Sequence, residues 1–174
     1  MIIFREAVFS DYKQIAALHA KSWQENYKLD FSAHFLEHKV EQDRLFAWKE
    51  RLQNPMENQY VLLAEKENVL VGFGCAFFDE HSKYGTLLDN LHVAHDVKGM
   101  GVGKNLIQMI AKQSLAYNNQ SGLYLWVLEN NKKAFDFYEH LQGKHVETVV
   151  GNDIGDKEVL KCRIVWNVIP ELLV

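Results

Sequence analysis

The stretch HVAHDVKGMGVGKNLI, His92 to Ile107, lacks a side chain at three alternate positions, Gly99, Gly101 and Gly103, and places Lys104 directly after them. A strand-like run from Tyr84 to Val93 precedes it. A helical stripe of Leu106, Ile107, Ile110, Ala111 and Leu115 follows. Glycine reaches positive φ without steric cost and lets a neighbour approach the backbone. The first amides of a helix have no partner within it. The helix dipole adds roughly 0.3–1 kcal/mol toward an exposed anion, and Lys98 and Lys104 add charge on either side. The segment therefore reads as a cradle for a phosphate or pyrophosphate. A bare strand-to-helix turn would need one glycine rather than three.

Two familiar phosphate loops do not fit. A P-loop requires a glycine where Lys98 stands, and Asn105 replaces its magnesium-binding Ser or Thr. A dinucleotide fingerprint needs a different last spacing and an opening parallel strand.

The rest of the sequence narrows the class. A chain of 174 residues suits one domain, 1–174, with a sizeable core. The net charge of -4 argues against a general nucleic-acid binder. Cys75 and Cys162 are isolated in apolar runs, so neither a disulfide framework nor a metal site is expected. The apolar run Val69 to Phe78 is too short to span a bilayer and is broken by Gly72 and Gly74. The N-terminus lacks a secretory pattern. A cytoplasmic setting, with no membrane partner, is the expectation.

Patterning predicts a first strand at Ile2 to Arg5 and a helix from a Ser10 cap to about Gln24. A second helical region spans Ser32 to Gln53, broken near Glu37, and its alternating charges from Glu37 to Arg51 read as a solvated face. Tyr60–Ala64 and Val69–Asp79 form a hairpin around Glu65–Asn68. Gly122–Leu128 is a strand and Asn131–Leu141 a helix. Lys144–Val150 and Lys157–Asn167 form a closing pair around GNDIG. The order is β-α-α-β-β-β-α-β-α-β-β. It implies an α+β fold with a mostly antiparallel sheet, one local parallel pair, and helices on its faces. The exposed edge of the closing pair admits a homodimer.

The segment LDNLHVAHDVKGMGVGKNLI resembles the acetyl-CoA loop of the GNAT-superfamily N-acetyltransferases, Gln/Arg-x-x-Gly-x-Gly/Ala, with Lys98 at the first position. Lysine keeps the charge there but not the planar geometry. LWVLENNKKAFDFYEHLQGK resembles the same family's strand-helix segment, with Val127, Leu128, Asn131, Ala134, Phe137 and Tyr138 in register and Gly143 one residue late. The element order agrees, so the resemblance covers nearly the whole chain. It implies a GNAT-like sheet of about seven strands and acetyl-CoA as cosubstrate, with no metal. Backbone groups of Leu91, His92 and Val93 would hold pantetheine. Lys98, Gly99, Met100, Gly101, Val102, Gly103 and Lys104 would hold the pyrophosphate. Asn131 would contact the pantetheine or the region around the sulfur, and Tyr138 would act as general acid.

On the residues alone, Tyr138 also fits a core stripe with Ala134 and Phe137, and Asn131 a helix cap. A free thiol has a pKa of about 8.5 and tyrosine about 10, so Tyr138 is better suited to hydrogen-bond developing thiolate than to transfer its proton fully. An alkylammonium, pKa about 10.4, is almost entirely protonated near neutrality. Asp89, His92 and Glu129 are the candidates for the base that relieves this. Strict alternation puts Asp89 and His92 on opposite faces unless a bulge intervenes. Trp23, Tyr27 and Phe31, with Phe35, either line an acceptor pocket or seal the first helices to the sheet. Glu25 and Asp30 could attract a cationic amine. The expected reaction is direct acetyl transfer to a primary amine of a small molecule or peptide in a ternary complex. The alternative is a module that holds CoA without turnover.

Overall fold

The computed structural model describes residues 1–152 and 154–172. Glu67 and Asn68 both adopt positive φ, 54° and 64°. A two-residue turn of that hand follows the twist of its strands and pairs Lys66 with Val69, joining β2 (Gln59–Lys66) to β3 (Val69–His81). Around this hairpin lie β1 (Ile2–Glu6), β4 (Gly85–Val93), β5 (Leu123–Leu128), β6 (Lys144–Gly151) and β7 (Val159–Trp166). The sheet order is β1-β2-β3-β4-β5-β7-β6, antiparallel except between β4 and β5.

One face of the sheet is covered by α1 (Tyr12–Asn26), α2 (Ala33–His38) and α3 (Val40–Gln53). Ile15 and Trp48 pack there on Leu63, Phe73 and Cys75. The other face carries α4 (Val102–Tyr117) and α5 (Lys132–His140). Leu106, Ile107, Ile110 and Ala111 are fully buried, which places the apolar stripe of α4 on the sheet. Burying a side chain such as Leu or Ile contributes about 1.5–3 kcal/mol. Gly74 lets α4 come this close, because a Cβ there would stand 2.5 Å from Ile110 Cδ1.

The mixed, seven-stranded α+β fold agrees with the sequence expectation. The expected break in the second helical region also appears, at Lys39, which parts α2 from α3. Three local features differ. Ser10 is not a cap; it lies in a 3-10 turn, Phe9–Asp11, and Asp11 occupies the N-cap of α1. The Asp11 carboxylate accepts from the Val8 amide and from Arg5, which holds it below the ordinary aspartate range. The hairpin turn is Glu67–Asn68 alone. A short α6 (Ile169–Leu172) follows β7, with Ile169 and Leu172 buried. Asp153, in the expected GNDIG turn, lies outside the described residues. Among the described residues no helix is long and apolar enough to cross a membrane.

Candidate active site

The parallel pairing of β4 and β5 covers Thr86–Leu88 against Leu123–Leu125 and then stops. Beyond it the strands part, and a cleft of about 820 Å³ opens between them. Ala94 N–H donates to Val71 C=O (2.8 Å). In an antiparallel ladder bonded pairs recur at every second residue. The main chain of His92 is therefore turned to β3, while that of Leu91 and Val93 faces the gap. Of the three backbone positions expected to bind pantetheine, two are available.

At one end of the cleft the chain passes through a 3-10 turn (His95–Val97) into the glycine loop. Gly99 and Gly101 take φ of 83° and 77°, and a Cβ on either would meet nothing within 4 Å. Gly103 differs: it sits within α4, and its Cβ position lies 3.4 Å from Phe137. The amides of Lys98 and Met100 are already bonded to His95 and Val97 carbonyls, each at 3.2 Å. Those of Gly99, Gly101, Val102 and Gly103 have no backbone partner among the described residues. Lys98, Lys104 and Lys133 stand around them on the cleft wall, whereas the Met100 side chain is turned to solvent.

The central wall carries Asn131 and Tyr138. Asn131 caps α5, accepting from the Ala134 amide at 3.3 Å, and lies beside the Tyr27 phenol. Tyr138 is buried and packs edge-on against Trp166. Burial raises its pKa, as does the neighbouring Tyr27. The phenol is thus held protonated: a hydrogen-bond donor and a poor source of a full proton. Burial likewise pushes Tyr27 up to about 12.

Opposite the glycine loop, the wall is built by α1 and α3. Trp23 and Tyr27 line it; Phe31 is buried behind them, 5.0 Å from Trp23. Arg44 and Arg51, one face apart by two turns of α3, point into the cleft rather than to solvent. The Arg44 guanidinium lies 4.3 Å above the Trp23 ring and is bound to Asp43 at 2.6 Å. Arg51 Nη1 donates to Asp89 Oδ2 (2.8 Å) and Asn90 Oδ1 (2.9 Å). The charge pattern of α3 predicts a solvated face for both arginines, and the structure turns them to the cleft instead. Their spacing around Trp48, at i, i+4 and i+7, was the available signal. Trp126 and Lys161 close this wall. Neither Glu25 nor Asp30 lines it; Asp30 is buried and accepts from Asn130 Nδ2 at 2.9 Å.

The three candidate bases fare differently. Cys75 pairs with Asn90 and Ala76 with Leu88, so Asp89 is an extra residue, a bulge. It turns Asp89 to the same side as Asn90 and His92, reversing strict alternation. Asp89 lines the cleft but is engaged by Arg51. His92 is buried, its Nδ1 2.8 Å from Ser22 Oγ and its ring 4.3 Å from that of His19. Burial, then the charges of Arg44 and Lys98, push its pKa down to about 3. His19 accepts from Trp48 Nε1 at 2.9 Å, and burial holds it neutral as well. Glu129 is not on the cleft wall. Cys75, whose pKa burial pushes up to about 12, is no ready nucleophile.

A parted β4–β5 pair, a glycine loop at its mouth and a tyrosine on its wall fit an acyl-transfer fold of the acetyltransferase class. A model of the Acetyltransferase (GNAT) family matches residues 20–143, and the chain belongs to that family. It is 30% identical over 155 residues to the 5-NmdU N-acetyltransferase of Pseudomonas phage PaMx11, covering 89% of this chain and 93% of the relative. It is 29% identical over 147 residues to the uncharacterized N-acetyltransferase YuaI of Bacillus subtilis, covering 80% and 78%. A probable acetyltransferase from Staphylococcus epidermidis superposes with a TM-score of 0.73 at 21% identity, over 95% of this chain and 98% of that one. PaiA N-acetyltransferase from Thermoplasma acidophilum, solved with coenzyme A, gives 0.65 at 18%, over 92% and 98%. The chain is an N-acetyltransferase of that family.

Proposed function

We propose that the enzyme moves the acetyl group of acetyl-CoA directly to a primary amine, with both substrates bound together. The carrying observation is the β4–β5 gap, with glycine amides that have no backbone partner among the described residues at one end and the Tyr138 phenol on its wall. The amides of Gly99, Gly101, Val102 and Gly103 hold the pyrophosphate, aided by Lys98, Lys104 and Lys133. Main-chain groups of Leu91 and Val93 hold the pantetheine arm as a strand would. The amine enters from the α1–α3 side, past Trp23 and Tyr27.

The amine nitrogen attacks the thioester carbonyl, the C–S bond breaks, and the thiolate leaves. Tyr138 donates a hydrogen bond to the sulfur as charge develops there. Its raised pKa keeps that proton in place until the sulfur takes up negative charge. The high pKa of Cys75 favours direct transfer over an acetyl-cysteine intermediate. Asp89 is bound to Arg51 and His92 is a weak base, so the proton of the amine leaves to solvent in the cleft.

The test is acetyl-CoA binding by calorimetry, followed by CoA thiol release across an amine panel. Intersecting initial-rate patterns are expected. Parallel lines would indicate a covalent enzyme intermediate, and binding without amine-dependent release would leave a CoA-holding module.

A further inference from the structure

His92 is a buried titratable ring on the cleft wall that acetyl transfer, as derived above, does not use. It stands on β4 between Leu91 and Val93, the residues whose main chain faces the gap. Its ring lies 4.3 Å from that of His19 and 5.3 Å from that of Phe73, and Ser22 Oγ stands 2.8 Å from Nδ1. The residue is 8% exposed, so its one remaining polar atom, Nε2, decides what it can do. Among the described residues, His19 Nε2 is enclosed without a partner. His92 Nε2 also has no partner among them but is not enclosed, and the space it opens onto is the cleft.

The surrounding bonds fix which ring nitrogen carries the hydrogen. Asn26 Nδ2 donates to Ser22 Oγ at 3.4 Å. Among the described residues the Ser22 hydroxyl hydrogen has one acceptor, His92 Nδ1. Ser22 therefore donates, and the hydrogen of the neutral imidazole sits on Nε2. Burial, with the charges of Arg44 and Lys98, keeps the ring neutral. The result is one N–H, held by stacked rings and a hydroxyl, that meets the cleft. Such a donor needs no reorganisation when charge develops in front of it.

We propose that His92 is a catalytic residue whose Nε2–H donates to the acetyl carbonyl oxygen, with Ser22 as its positioning residue. The proposal rests on the acetyl-transfer reading of the cleft. As the amine nitrogen bonds to the carbonyl carbon, the π electrons of C=O move onto oxygen, and Nε2–H holds that charge. When C=O re-forms, the C–S bond breaks and its electrons leave on sulfur, where Tyr138 donates. The amine proton goes to solvent, and His92 keeps its own hydrogen throughout. Tyr138 comes from α5 on one face of the sheet, while His92 packs with Phe73 on the other. Sulfur and oxygen are thereby met from opposite sides.

The experiment reads the carbonyl itself. The infrared C=O band of carbonyl-labelled acetyl-CoA bound to the protein should lie at lower frequency in the wild type than in His92→Ala. The same substitution should lower kcat by about 10²–10³-fold, the scale of one lost oxyanion donor, with acetyl-CoA affinity held within about twofold. His92→Gln, whose amide carries an N–H to a similar reach, should recover part of both effects. Ring-nitrogen NMR of the wild type should place the hydrogen on Nε2, and Ser22→Ala should move part of it to Nδ1. A band that His92→Ala leaves unchanged overturns the proposal, as does a wild-type ring with its hydrogen on Nδ1. The NMR reading needs no variant, so it stands even if His92→Ala does not fold. Should no amine release CoA, the transfer reading fails by itself, and the carbonyl band still decides the donor.

Discussion

The two halves of the cleft are made of different material. The half around the glycine loop is main chain: amides without a backbone partner among the described residues, two positive-φ glycines, and the strand edge at Leu91 and Val93. The half under α1 and α3 is side chain: Trp23, Tyr27, Arg44 and Arg51, held by rings and ion pairs. A main-chain site recognises what every substrate pair shares, because its donors do not change when side chains do. A side-chain site can be altered one residue at a time. The division fits an enzyme with a fixed donor and an acceptor particular to it.

Tyr138 stands where the halves meet, and replacing it is the strongest way to break the comparison. Tyr138→Phe should lower kcat by about 10²–10⁴-fold, the usual scale for a positioned acid. Acetyl-CoA affinity by calorimetry should stay within about twofold. An equal loss of affinity would mean that the main-chain half depends on this side chain.

The pH dependence of stability separates the halves next. Below about pH 6.5 an unfolded histidine takes up a proton, while folded His92 does so only near 3. Across that window the unfolded chain binds more protons, so stability falls as pH falls. The loss is about 1.4 kcal/mol per pH unit for His92, or about 2 kcal/mol between 6.5 and 5. His19 contributes in the same direction. Urea unfolding at pH 7, 6 and 5 measures this slope, and His92→Gln should reduce it.

Gly101→Val probes the main-chain half itself. A β-branched residue at φ of 77° costs roughly 1–2 kcal/mol. If the loop relaxes to avoid this, acetyl-CoA should bind about 5–30-fold more weakly. Unchanged affinity would remove the loop from the donor site. The smallest effect is expected from Asn131→Ala. Loss of the α5 cap costs about 1 kcal/mol, read as a fall of about 2–4 °C in Tm.

Much of the main-chain half was legible because it occupies one contiguous stretch with a spacing that leaves few uses. Even there, the commitment of the Lys98 and Met100 amides depends on the 3-10 turn before them. The side-chain half was mostly illegible. Its residues come from α1, α3, β4, β5 and β7, and no local pattern joins them. Arg44 and Arg51 belong to a run of mixed charges whose inner face is set by how α3 crosses the sheet. The bulge at Asp89 depends on register against β3, which alternation within β4 cannot reveal. Phe31 was a reasonable pocket residue by type; the turn after Asn26 carries it behind Trp23.

Three residue pairs are all that stitch β4 to β5. The sheet is thereby two leaves, β1 to β4 and β5-β7-β6, joined along a short seam. A strand-like ligand lying in the opening would extend that seam and splint one leaf to the other. Amide hydrogen exchange at Leu91 and Val93 should then slow on loading, and the three-stranded leaf should lose its freedom to rock.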